Sequence, residues 1–127
     1  MKRIAFIDHN LENFHANVYL KLLQTDLKKR GFTLSGCFGT QQKPSQEWAT
    51  KNNIPYFTNI QALNETTDHY MILAPSNPET HLNLCQKVFP FGKPTYVDKT
   101  FAPDFKTAQK IFTLADKHKV PMQTTSA

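Results

Sequence analysis

Short apolar runs alternate along the chain with segments whose apolar residues recur every three or four positions. Ile4-Ala5-Phe6-Ile7 is a continuous apolar run of the kind a buried parallel strand needs. Ala16, Tyr19, Leu20, Leu23 and Leu27 then share one helical face. That stretch closes on Lys28-Lys29-Arg30, which complement a helix carboxyl end, and on Gly31 as a stop. A second strand is predicted from Phe32 to Phe38, broken by Gly39. Ser45 is placed to cap a short helix through Trp48 and Ala49 that ends near Asn52-Asn53. Pro55-Tyr56-Phe57 reads as a short third strand, Ile60 to Asn64 as a brief helix, and Tyr70 to Ala74 as a fourth strand. Asn77 before Pro78 is a strong helix start, with Leu82, Cys85 and Phe89 as the buried stripe and Gly92 as the end. Pro94 leads a fifth strand, Thr95-Tyr96-Val97. Asp104 caps a last helix that turns Phe105, Ala108, Ile111, Phe112 and Ala115 inward, and Val120 to Thr124 is a sixth strand.

Strands alternating with helices build βαβ units on a parallel sheet with right-handed crossovers. The expected fold is therefore α/β, a Rossmann-type doubly wound parallel sheet in three αβα layers. About six strands in the order 3-2-1-4-5-6 satisfy the pattern. With no linker, repeat or low-complexity stretch, residues 1–127 make one domain.

Composition removes several alternatives. A hydrophobic share of 39% with 10 Phe belongs to a folded chain, not a disordered one. No apolar run reaches the roughly 20 residues a bilayer span requires, and Met1-Lys2-Arg3 leads straight into a strand. Cys37 and Cys85 fall in a strand and a helix and read as small buried hydrophobes, which suits a reducing cytoplasm. The net charge of +5 is partly clustered at Lys28-Lys29-Arg30 and between Lys106 and Lys119. Without interleaved aromatics or a recognition motif, these clusters read as helix ends and a solvated face, not a nucleic-acid surface. His9 and His15 do not share a helical face and no further ligand completes a set, so no metal is expected.

In the doubly wound order, the ligand crevice opens at the carboxyl ends of strands 1 and 4. The residues there are Asp8-His9-Asn10 after the first strand, Pro75-Ser76-Asn77 after the fourth and Asp98-Lys99-Thr100 after the fifth. Asn77 and Pro78 also open a helix whose free N–H groups favour an anion or a polar ring. His81 is either a surface helix residue or reaches toward the crevice. Asp98 and Lys99 read either as an exposed pair or as a site. Lys99 is the chief candidate for chemistry, because an ammonium at a strand exit can bind a substrate oxygen or assist proton transfer.

These residues also carry a family resemblance. From about Trp48 to Ala127, Ala74-Pro75-Ser76-Asn77, His81, Gly92-Lys93 and Asp98-Lys99-Thr100 follow in the order of a short strand, Thr-Pro-Asn, a His four residues later, Gly-Lys, a strand and Glu-Lys-Pro. Ala108 and the segment from Ala115 through Val120-Pro121 fit the helix and strand that come next. The chain thus resembles the N-terminal half of the glucose–fructose oxidoreductase / inositol dehydrogenase (Gfo/Idh/MocA) family. The resemblance implies a domain that binds NAD or NADP and serves hydride transfer with a sugar, polyol or similar alcohol. It places Lys99 near nicotinamide and substrate as the catalytic residue. It also gives Asp8, His9, Asn10, Asn13, Thr40, Pro75, Ser76, Asn77, His81, Asp98 and Lys99 as the cofactor-binding set. A larger substrate and oligomerisation domain follows in that family, so the chain is expected to be an N-terminal domain unable to turn over substrate alone, and homo-oligomeric when full length.

Where the family carries Gly-x-Gly-x-x-Gly, this chain carries Asp8-His9-Asn10-Leu11-Glu12-Asn13. Side chains replace the glycines that let backbone approach a pyrophosphate, and two of them are acidic. Gly39-Thr40-Gln41-Gln42 stands where an acidic residue would hold the ribose, and Lys43 reads either as a surface lysine or as a contact for a 2′-phosphate. A non-catalytic relative that kept the fold and lost the cofactor, acting as a binding or regulatory module, is therefore the alternative. A phosphorylation receiver is excluded by position, since Thr58-Asn59 follows the third strand and Lys93-Pro94 precedes the fifth.

Overall fold

A computed structural model describes residues 2–124; residues 1 and 125–127, where the family resemblance ends, lie outside the described residues. Five strands form one sheet: β1 Lys2–Asp8, β2 Phe32–Gly39, β3 His69–Ile72, β4 Thr95–Val97 and β5 Met122–Thr124. They lie in the order β2-β1-β3-β4-β5, and every pairing is parallel. The helices are α1 Phe14–Gln24, α2 Asp26–Lys29, α3 Gln42–Asn52, α4 Ile60–Glu65, α5 His81–Val88 and α6 Phe105–Lys117. The doubly wound α/β architecture expected from the alternation is present.

The strand predicted at 55–57 keeps its place but not its length. Tyr56 joins the outer edge of β2 through one parallel bridge to Cys37, flanked by Cys37 N donating to Pro55 O and Phe57 N to Cys37 O, both at 3.0 Å. Pro55 has no N–H to extend the ladder, so the sheet has five strands and this edge ends in a single bridge.

Side chains alternate across β1 and sort the core into two layers. Ile4 and Phe6 face α1 and α3, packing with Ala16, Leu20, Leu23, Trp48 and Ala49. Ala5 and Ile7 face α4, α5 and α6, packing with Leu63, Leu84, Cys85, Val88, Ile111 and Ala115. Trp48 lies 6.2 Å from the Phe6 ring, and its indole N–H donates to Asn17 Oδ1 at 2.8 Å. Cys37 and Cys85 are free and buried, and burial pushes both thiols up to about 12. Among the described residues, no helix is long and apolar enough to cross a membrane.

Several local expectations are corrected. The helix expected to run unbroken to Arg30 divides at Thr25, whose hydroxyl donates to Lys21 O at 2.8 Å and competes with the helical ladder. Ser45 lies inside α3, fully buried, and does not cap it. Asn77 makes no side-chain cap; Pro78–Thr80 forms a 3-10 turn first, and the Asn77 amide donates to Glu79 Oε1 at 3.2 Å. Phe105 and Phe112 of α6 are 78% and 51% exposed, so the inward stripe is Ile111 and Ala115. Phe112 instead reaches sideways to Phe101, with ring centroids 5.2 Å apart. Asp104 does cap α6, accepting from Thr107 N at 2.7 Å.

Candidate functional site

The exits of β1, β3 and β4 are neighbours along one edge of the sheet, because those strands are adjacent. At the first exit Asp8 is 1% exposed. Its Oδ1 accepts from His9 N at 2.7 Å, Asn10 N at 3.2 Å and Ala74 N at 3.1 Å. Its Oδ2 accepts from Asn13 Nδ2 at 2.7 Å. Asn13 in turn caps α1, with Oδ1 accepting from Ala16 N at 2.8 Å. The turn is pinned from behind by Leu11 N donating to Ser45 Oγ at 3.1 Å, and from β2 by Thr40 N and Gln41 N donating to Asp8 O and His9 O. The His9 ring nitrogen Nδ1 lies 3.2 Å from Thr40 Oγ1. Glu12, the second acidic residue of the turn, pairs with Lys51 at 3.0 Å on the surface.

At the second exit Ala74 adopts a left-handed φ of 45°, which a residue with a Cβ seldom takes. The conformation belongs to the turn in which the Ala74 N–H meets Asp8 and Asn77 N donates to Ala74 O at 3.1 Å. Pro75 is half-buried and Ser76 exposed. His81, expected on the surface or in the crevice, is fully buried. Its Nδ1 lies 2.9 Å from Phe101 O and its Nε2 2.6 Å from Leu73 O. The ring therefore ties the segment after Lys99 to the end of β3 and faces inward. Asn77 packs beside Glu79 and is only partly open.

At the third exit the supposed exposed pair separates. Asp98 is 1% exposed, while Lys99 is exposed and its ammonium makes no hydrogen bond or ion pair among the described residues. Asp98 Oδ2 meets His15 Nδ1 at 2.6 Å; Oδ1 accepts from the Tyr96 hydroxyl at 3.1 Å and from Lys99 N at 2.9 Å. Tyr96 OH lies 3.3 Å from Tyr19 OH, and burial, ahead of that hydrogen bond, raises the Tyr19 phenol well above its ordinary value. The sequence offered no sign of the His15–Asp98 pair. The two residues are 83 positions apart, and only the adjacency of α1 to the β4 exit brings them together.

Burial pushes the Asp8 carboxyl up to about 6 from an ordinary value near 3.8, against the pull of its four hydrogen bonds. An acid whose folded value is raised binds its proton more readily folded than unfolded. Its contribution to stability therefore grows as pH falls below 6 and is lost as pH rises through 6. Chemical denaturation at pH 8 and pH 5 should show wild type gaining about 1.4 kcal/mol more than Asp8→Asn over that interval. Equal gains would mean that water reaches the carboxylate.

The donor set answers what the β1 turn can hold. Four donors converge on two carboxylate oxygens, so the turn is an anion cradle, and the anion in it is the chain's own. That chemistry suits a dinucleotide diphosphate, which the glycine-rich form of this turn binds through the same kind of N–H groups. A groove of about 900 Å³ lies elsewhere, on the sheet face lined by Tyr19, Met71, Tyr96 and Met122. Among the described residues, no three His, Cys, Asp or Glu are placed to hold a metal ion.

Residues 10–126 match the Gfo/Idh/MocA family model, described as an oxidoreductase family with a NAD-binding Rossmann fold. No curated protein matches the chain. Among solved structures, the dehydrogenase MviM from Clostridium difficile is similar at a TM-score of 0.75 and 20% identity, over 97% of this chain and 38% of that one. Biliverdin reductase from Synechocystis, solved with biliverdin and NADP+, is similar at 0.73 and 15%, over 96% of this chain and 37% of that one. UDP-N-acetylglucosamine 3-dehydrogenase GnnA from Acidithiobacillus ferrooxidans is similar at 0.74 and 17%, again over 96% and 37%. At these identities the likeness is one of fold. The chain spans 37–38% of the length of these structures.

Proposed function

Because the chain belongs to the Gfo/Idh/MocA oxidoreductase family, whose NAD-binding Rossmann domain it matches over residues 10–126, we propose that it is the dinucleotide half of a NAD(P)-dependent oxidoreductase acting on a sugar, polyol or similar alcohol. The nicotinamide, when bound, supplies the hydride chemistry. The residues of this chain supply the anion-binding turn at Asp8, His9, Asn10 and Asn13, with Thr40 behind it, and the β3 exit at Pro75, Ser76 and Asn77. His81 acts from inside by fixing the backbone that frames the crevice.

The observation that supports this reading best is the state of Lys99. Its backbone N–H is held by buried Asp98, which His15 and Tyr96 hold in turn, while its ammonium is left exposed and unpaired among the described residues at the same sheet edge as the anion cradle. An anchored lysine with a free head group suits binding a substrate oxygen and easing the transfer of its proton. In the whole protein, a further domain would bring the substrate and carry oligomer contacts. There Lys99→Met is expected to lower kcat about 10²- to 10⁴-fold, the usual range for a group that assists proton transfer.

The direct test is calorimetric titration of this chain with NADH and NADPH at pH 6 and pH 8. Binding of either supports the reading. No heat from wild type or Asp8→Gly at millimolar ligand would sink it. The buried carboxylate in the diphosphate position favours one second reading, a relative that keeps the fold as a binding module without the cofactor; that same null result is its signature.

A further inference from the structure

We infer that Asp8 is a built-in competitor for the cofactor's diphosphate, and that a dinucleotide binds the form of the chain in which Asp8 carries a proton. The inference rests on the dinucleotide reading above and goes beyond it, to what the chain must do before the ligand can seat.

The geometry carries it in three steps. The N–H groups of His9 and Asn10, which a glycine-rich turn would offer to phosphate, point at Asp8 Oδ1. The first turn of α1, which would offer the next donors, is already capped by Asn13, whose amide also bonds Asp8 Oδ2. And Asp8 is 1% exposed with no cation paired to it, so a second anion beside it would be held at short range in a poorly solvated place. A protonated carboxyl gives up most of its acceptor strength, which releases the two backbone donors, and removes the like charge.

The groups around Asp8 leave the proton to it. Within the turn, His9 sends its ring to Thr40 and Glu12 pairs with Lys51. From α1, Asn13 is neutral and His15 is bound to Asp98. From β2 and α3, Thr40 donates to the Asp8 backbone oxygen and Ser45 accepts from Leu11. From the β3 side, Ala74 gives its N–H, and the His81 ring is engaged by Leu73 and Phe101. No ion pair among the described residues includes Asp8.

The experiment is NADH titration of this chain by calorimetry from pH 5.5 to 8, in two buffers of different ionisation enthalpy. Wild type should weaken about tenfold per pH unit above pH 6, with close to one proton taken up per NADH at pH 8. Asp8→Asn should bind at pH 8 about as tightly as wild type does at pH 5.5, with no proton uptake, and Asp8→Gly serves if the Asn variant fails to fold. Glu12→Gln should keep the wild-type profile. A flat wild-type profile with binding intact overturns this inference and leaves the dinucleotide reading standing. So does a pH dependence that vanishes in His9→Gln and survives in Asp8→Asn. No binding by any variant at any pH overturns both.

Discussion

Gly39→Ala should destabilise the domain by about 3–5 kcal/mol, the sum of overpacking a filled site and orphaning a buried donor. A Cβ built on Gly39 would stand 2.0 Å from Ser45 Oγ and 2.5 Å from Ser45 Cβ. Ser45 cannot swing clear without cost, because it is fully buried and its hydroxyl accepts the Leu11 N–H at 3.1 Å. Either β2 moves away from α3 or the Leu11 N–H loses its partner inside the protein. Leu11 itself is fully buried and anchors the turn that carries Asp8, so the damage reaches the anion cradle. Adding Ser45→Gly to Gly39→Ala removes the clash and leaves the missing acceptor and the smaller cost of a glycine inside α3. The double variant should then be more stable than Gly39→Ala alone, a coupling of at least about 1 kcal/mol between touching residues. Guanidinium unfolding of the four proteins measures it. A Gly39→Ala loss below about 1 kcal/mol would show that the two elements part easily.

His81→Leu is the second large effect, expected at about 2–5 kcal/mol because a fully buried ring that bridges the buried Leu73 carbonyl and the part-buried Phe101 carbonyl gives way to a side chain that can bond neither. The Leu73 and Phe101 oxygens both rely on this ring, and nothing else among the described hydrogen bonds reaches them from a side chain. His81→Gln, whose amide can reach one carbonyl, should fall between wild type and His81→Leu. Amide exchange should speed up selectively in residues 99–104, since the Phe101 tether is what holds that segment to the end of β3. Uniform acceleration across the sheet would mean that His81 matters only to the core.

These two residues also mark where the sequence could be read and where it could not. Element type and order were legible because each apolar run or stripe is local, and β1, β2, β4 and α6 begin and end within a residue or two of expectation. That the exits of β1, β3 and β4 stand side by side followed from strand order alone. What escaped were pairings made across the fold. Ser45 looks like a cap and is a brace for Leu11; His81 looks like a surface residue and is an internal clamp. Asp98 looks like half of an exposed pair and is the buried partner of His15. Asn77 before Pro78 obeys the start rule, but a 3-10 turn intervenes and its side chain turns to Glu79. In each case the local rule was sound and a tertiary partner overrode it.

The parallel order has a consequence for how the chain is made. β1 is an interior strand, yet its partners arrive late: Lys2 pairs with Phe32 in β2, and Ile4 with His69 in β3. At roughly 5–20 residues per second on a ribosome, the first strand waits on the order of seconds for its second neighbour. Throughout that wait, the most apolar segment of the sheet has an open edge and no hairpin to shield it. Nascent chains of this domain should therefore depend on holding factors until residue 72 has emerged, and heat or crowding should harm newly made copies more than finished ones.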